Sequence, residues 1–257
     1  MFSGGKRLRP VLVLAAAEAC GASAARVVPA ACALECLHTY SLIHDDLPVM
    51  DDDDLRRGRP TCHKVFGDGA ALLAADALLT YAFELLAENG RGKDVSARRA
   101  LEAVAVLAKA AGMAGMVAGQ MADVEAENRT IGLPQLQFIH VHKTGKLIQA
   151  AVIVGALLGG GTSRQQRALA AYGESLGLAF QITDDILNVV GDPGKLGKAT
   201  GTDASAGKAT YAAFFGIEES RRRVKALIAR CQKMLRPFGA AAEPLAALAT
   251  YVGRREA

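Results

Sequence analysis

Ser41-Leu42-Ile43-His44-Asp45-Asp46-Leu47-Pro48-Val49-Met50-Asp51-Asp52-Asp53-Asp54-Leu55-Arg56-Arg57-Gly58-Arg59 places six aspartates within ten residues and sets three arginines close behind them. The stretch closes a helical run: helical periodicity extends from about Pro29 to about Asp46, and Pro48 then opens a polar segment reaching about Gly67. An apolar helix that ends in two carboxylates puts Asp45 and Asp46 at the rim of a core. Six carboxylates this close repel one another unless a cation sits among them. Hard oxygen donors suit Mg2+, which keeps waters and shares phosphate oxygens. The spacing and closing Glu of an EF-hand calcium loop are absent. The plain alternative is a solvated loop with local salt bridges.

Outward from this stretch, helical periodicity continues almost everywhere. Pro10 suits the first turn of a helix to about Cys20, ended by Gly21. Asp68 is placed to cap a helix to about Glu88, closed by Asn89-Gly90. Further helices fit Ser96–Asp123, Pro134–Leu158 and Ser163–Val190, then a loop Gly191–Lys208, then helices Tyr211–Leu235 and Ala240–Arg254. No strand pattern persists and no linker divides the chain. The expectation is one all-α domain over 1–257, built of long helices.

Composition agrees. Of 257 residues, 51% are hydrophobic and 22% charged, which excludes disorder and permits a sizeable core. A net charge of +4 without a long basic tract makes nucleic acid a poor partner. Five scattered Cys argue against a disulfide scaffold and for a reducing compartment; Cys32 and Cys36 read as neighbouring core thiols. The start lacks the apolar core of a signal peptide. The most apolar stretch, Leu147–Leu158, falls short of the ~20 residues that span a bilayer. A soluble cytoplasmic protein with no membrane span is expected.

A second acidic cluster, Phe180-Gln181-Ile182-Thr183-Asp184-Asp185-Ile186-Leu187-Asn188, lies within an apolar helical pattern, with Asp184 and Asn188 on one face. Mid-helix carboxylates are costly to bury unpaired. Two such clusters on separate helices read as opposite walls of one metal-filled cavity. Cationic groups surround them in sequence: Lys6, Arg7 and Arg9; Arg56 and Arg57; Lys143 and Lys146; Lys195, Lys198 and Lys208. Each alone reads as a surface charge. Together with metals they point to a polyphosphate ligand. No Walker A motif is present, and Gly4-Gly5-Lys6 alone is a weak phosphate signal.

Four motifs carry a family resemblance: Gly4-Gly5-Lys6-Arg7-Leu8-Arg9-Pro10; Ser41 to Pro48 continuing to Arg56-Arg57-Gly58; Lys143-Thr144-Gly145; and Phe180-Gln181 to Asp184-Asp185. By these the chain resembles the trans-isoprenyl diphosphate synthases (polyprenyl synthetases), in their bacterial farnesyl and geranylgeranyl branch. The four residues between Asp46 and Asp51 match that branch's expanded first motif. The resemblance implies mostly antiparallel helices around a deep central cavity, a homodimer, and head-to-tail joining of isopentenyl diphosphate to an allylic diphosphate. It implies Asp45, Asp46 and Asp51 holding two Mg2+ and Asp184, with Asp185 nearby, a third. Arg56, Lys143, Lys198 and Lys208 would grip the allylic diphosphate. Lys6, Arg9, His38 and Arg57 would bind isopentenyl diphosphate. Thr144 and Gln181 would line the place where carbocation charge develops. Tyr40, with small Ser41 beside it, lies five residues before Asp45, ~7.5 Å deeper along a helix, and would set product length as a floor for a fifteen-carbon chain.

There are departures. Members of the family usually carry helices before Gly4, Asn188 replaces the third Asp of the second motif, and Ala75 stands where Gly is common. Three alternatives stay open: a geranylgeranyl synthase, a weakly active subunit of a heteromeric synthase, and a terpene cyclase. Subunits of the second kind lose their aspartate motifs; a cyclase would lack the Lys6, Arg9 and Arg57 site.

Overall fold

The computed structural model describes residues 4–127, 129–191 and 209–255. Lys198, Lys208 and nearly all of the Gly191–Lys208 stretch lie outside them.

The elements follow the sequence signals closely. Helix α1 (Leu8–Ala19) carries Pro10 in its first turn and stops before Gly21, whose φ of 88° no helix continues. Helix α2 (Val28–Asp45) has Pro29 at its start and buries Ala30, Ala33, Leu34, Leu37 and Tyr40 along one side. Short α3 (Cys62–Phe66) precedes α4 (Asp68–Glu88), where Gly67 takes the cap position and Asp68 sits in the first turn, favourable for the helix dipole. Helix α9 (Ser163–Val190) opens with a capping box between Thr162 and Gln165. Helices α10 (Tyr211–Leu235) and α11 (Glu243–Arg254) close the described chain.

Helix α8 (Lys146–Leu158) packs against α1, α2, α5 (Ala97–Ala111) and α9, and most of its residues are buried. Helix α9 in turn carries α10 and α11; Tyr172 Oη donates to the Leu245 carbonyl at 2.7 Å. One apolar cluster runs through all these helices, from Leu12 and Leu34 to Leu158, Leu176 and Leu245.

Three details depart from the sequence reading. The stretch Ser96–Asp123 is two helices, α5 (Ala97–Ala111) and α6 (Met116–Ala126), because Gly112 and Gly115 leave helical conformation between them. Within Pro134–Leu158, α7 (Leu133–Ile139) and α8 are joined by a π-helical turn, His140–Gly145. Such turns fit an extra residue into a helix and recur at functional sites. Finally, Leu55–Arg56 (β1) pairs antiparallel with Arg59–Pro60 (β2) around Arg57-Gly58, both at positive φ. Two-residue strands are too short to leave a periodicity.

By length and composition alone, three stretches are apolar enough to cross a membrane: Asp68–Glu88, Ala97–Ala126 and Leu133–Leu158. The reading that no stretch reaches that length is corrected on this count. In the structure the second and third are interrupted, by Gly112–Gly115 and by the π turn. In the third, 61% of the most apolar window is buried inside the protein.

Candidate active site

The end of α2 builds the first acidic wall. Leu47 to Met50 form a turn that folds back, so that the Asp51 amide donates to the Asp45 carbonyl at 2.8 Å. The four intervening residues thus return Asp51 to Asp45. Burial pushes the Asp45 carboxyl up to about 6, with neighbouring Asp51 adding to the rise and Lys143 opposing it. A carboxylate so disfavoured in its charged form calls for a cation. Asp46 is buried and accepts from Arg56 Nε at 2.6 Å and from Arg56 Nη2.

The second wall is the C-terminal part of α9. Asp184 and Asp185 line a cavity of about 370 Å3 with Arg56, Asp123, Lys143, Thr144 and Gln181. Asp184 is paired with Arg255. Asp185 is buried; its Oδ2 accepts the Tyr211 amide at 2.7 Å and so ties α9 to the start of α10. The set of five carboxylates therefore divides only in part in this structure. Asp45, Asp184 and Asp185 line cavities and Asp51 lies beside Asp45, while Asp46, Asp184 and Asp185 each hold a protein group. All five are oxygen donors, as Mg2+ requires.

A larger cavity, about 530 Å3, adjoins on the other side of Lys143 and Thr144, which line both. Tyr40, Ser41 and Asp45 share its wall with Met116, Val117 and Gln120. Its volume is that of a small-molecule site. Tyr40 is buried, meets His44 edge-on at 5.5 Å, and has its hydroxyl pushed up to about 12 by burial.

The π turn sets Lys143 at this junction. Lys143 Nζ donates to Asp123 Oδ2 at 2.6 Å, and Asp123 and Asp45 together hold its ammonium above the usual range against burial. Helix α6 comes so near the turn that a Cβ on Gly119 would lie 2.1 Å from the Lys143 amide nitrogen.

Basic groups converge beside α1 and the β-hairpin. Arg57, at the tip with φ 55°, donates to the Gly4 carbonyl, and a Cβ on Gly5 would fall 2.3 Å from its Nη1. The φ of 129° at Gly5 favours glycine there. Arg7 pairs with the buried Glu35. Burial lowers Arg9 to about 10, and its Nε has no hydrogen-bond partner among the described residues. His38 is driven down to about 2, first by burial and then by Arg9, Arg57, Arg56 and Arg7. A neutral imidazole among four guanidinium groups could hold an anion. Lys6 is exposed between Gly5 and Arg7.

Gln120, Asp123, Glu35 and Arg255 were not singled out by sequence. Asp123 and Glu35 carried a signal, as carboxylates on apolar helices.

Comparison with known proteins gives the family. The family model described as polyprenyl synthetase matches residues 1–238. The farnesyl diphosphate synthase of Geobacillus stearothermophilus is 49% identical over 254 residues, covering 99% of this chain and 85% of that one. The large subunit 1 of the chloroplastic heterodimeric geranylgeranyl pyrophosphate synthase of Arabidopsis thaliana is 46% identical over 260 residues, 100% of this chain and 70% of that one. Among solved structures, a geranyltransferase from Helicobacter pylori, complexed with magnesium and isoprenyl diphosphate, superimposes with a TM-score of 0.85 at 36% identity, covering 97% and 84% of the two chains.

Proposed function

Since the chain belongs to the polyprenyl synthetase family and is a short-chain prenyltransferase, we propose that it joins isopentenyl diphosphate head to tail with dimethylallyl or geranyl diphosphate and releases farnesyl diphosphate. The observation that carries this reading is the placement of Lys143 and Thr144 between a metal-fit cavity and an apolar one walled by Tyr40.

Asp45, Asp46, Asp51, Asp184 and Asp185 are the residues that would hold Mg2+, three ions per site, with Arg56 and the Tyr211 amide fixing Asp46 and Asp185 in place. When bound, Mg2+ neutralises the allylic diphosphate so that its carbon–oxygen bond can break. Lys143 supplies a fixed positive charge to the same group. Arg9, Arg57, Lys6 and neutral His38 grip the isopentenyl diphosphate. Thr144 and Gln181 turn polar oxygens toward developing positive charge without attacking it. The apolar cavity keeps water from the cation until the isopentenyl double bond has reacted. The new carbon–carbon bond then forms, and the departed diphosphate accepts the proton that is lost.

The product assignment rests on Tyr40 as a floor. Wild type and Tyr40→Ala are incubated with Mg2+, geranyl diphosphate and excess isopentenyl diphosphate, and chain length is analysed. Fifteen-carbon product from wild type and twenty or more carbons from the variant are expected. Identical distributions would remove the basis of the farnesyl assignment.

We further propose a cytoplasmic homodimer with the whole chain as one synthase domain. A main core that joins helices from α1 to α11, with a smaller cluster around Leu136, Ile182 and Tyr211 beside it, supports the single domain. Helix α4 supports the dimer: its apolar window is only 22% buried, and Leu72, Leu73 and Tyr81 are exposed. Sedimentation equilibrium showing a monomer would refute it.

A further inference from the structure

The structure assigns a separate cation site, for a borderline divalent metal such as Zn2+ or Co2+, to Asp52, Asp54 and His63. One ligand atom from each lies within 4.8 Å of the others. None of the three residues lines either cavity of the active site.

The histidine points to a ligand independently of the carboxylates. His63 is only 5% exposed. The Thr61 hydroxyl donates to the Asp53 carbonyl at 2.8 Å, so its proton is used, and its oxygen stands 3.2 Å from His63 Nδ1. Nδ1 is then the donor, which leaves Nε2 as the nitrogen that could take a metal. That nitrogen is buried and has no hydrogen-bond partner among the described residues. An imidazole with one nitrogen held by a hydroxyl, itself anchored on a carbonyl, and the other nitrogen unpartnered is the arrangement in which histidine binds metals.

The donor set selects the metal. One imidazole with two carboxylates suits Zn2+ or Co2+, whereas Mg2+ prefers oxygen alone. The all-oxygen set of Asp45, Asp46, Asp51, Asp184 and Asp185 is different in kind. Lys64 Nζ lies 2.7 Å from Asp54 Oδ1, which leaves Oδ2 for the cation. A metal here would pin the segment that joins Asp51 to Arg56 and Arg57 onto the start of α3.

Co2+ reports on this directly. The full-length protein in excess Mg2+ is titrated with CoCl2 and followed by visible absorption and calorimetry. One further equivalent of Co2+ with ligand-field bands is expected. Asp52→Asn and Asp54→Asn, both at exposed positions that leave the core intact, should each weaken it at least about tenfold. His63→Gln should abolish the bands, and Asp45→Asn should keep them. Absence of Co2+ uptake above Mg2+, retention of full affinity in both Asp52→Asn and Asp54→Asn, or loss of the bands in Asp45→Asn would each overturn the assignment.

Discussion

Arg255 and Asp184, 71 positions apart, form an ion pair that brings the end of the described chain onto helix α9. The guanidinium also lies 4.3 Å from the Phe180 ring centre, and its side chain is almost fully buried. An arginine thus occupies the carboxylate proposed for the third Mg2+. A metal arriving at Asp184 must compete with it for the carboxylate's charge. Arg255→Gln should therefore strengthen Mg2+ binding in the absence of substrate, by about tenfold for ~1.4 kcal/mol of lost competition. Calorimetric Mg2+ titration checks this; weaker binding in the variant would show that Arg255 supports the site instead.

Asp45→Ala and Asp51→Ala should each abolish turnover while the protein stays folded. The Asp45 carboxyl is already pushed up to about 6 by burial and by like charge nearby, so removing either charge relieves repulsion in the metal-free protein. Thermal melts without Mg2+ should show no loss of stability. Near-normal turnover at saturating Mg2+ in either variant would contradict the metal assignment.

The basic cluster should divide the two substrates. Arg57→Ala and Lys6→Ala should raise KM for isopentenyl diphosphate about ten- to a hundredfold, the loss of one charge-assisted contact of ~1.5–3 kcal/mol, with little change for the allylic partner. Arg56→Ala differs, because it strips the buried Asp46 of its partner and should cost stability as well. Steady-state kinetics with each substrate varied, together with melting curves, separate these outcomes.

Gly119→Ala tests the contact that seats Lys143. The added methyl meets backbone at 2.1 Å, so the π turn or α6 must move. Overpacking of this kind costs ~1–3 kcal/mol, several degrees in Tm for a chain of this size, and the displaced Lys143 should lower turnover too. An unchanged kcat would mean that the position of Lys143 is not critical.

His38 gives the pH dependence its sign. Its pKa falls from 6.5 to about 2 on folding. Below pH 6.5 the unfolded chain binds a proton that folded His38 refuses, so its contribution is complete above 6.5 and is lost as pH falls. By pH 5 the loss reaches about 2 kcal/mol. His38→Gln should flatten the difference in urea midpoint between pH 7.5 and pH 5. An equal difference in both proteins would show that His38 titrates normally.

The sequence by itself determined the helices and the residue types of the site. Helical periodicity, Pro29 and Pro10 at helix starts, and Gly21 past a helix end are local signals, and local physics obeyed them. The two aspartate clusters were visible because crowded carboxylates are costly without a cation, whatever the fold. Only the tertiary structure decided which carboxylates face the cavities. Asp46 and Asp185 sit beside Asp45 and Asp184 in the chain, yet Arg56 and the Tyr211 amide reach them from other elements, while Asp184 and Asp185 both line the smaller cavity. The π turn at His140–Gly145 also escaped the sequence, since one extra residue in a helix leaves the apolar pattern nearly intact. Asp123 became a partner of Lys143 only when α6 closed on that turn, and Arg255 met Asp184 only when α11 packed on α9. Pairings across 20 and 71 positions carry no local signature. They follow from how helices pack, and packing depends on all the side chains at once.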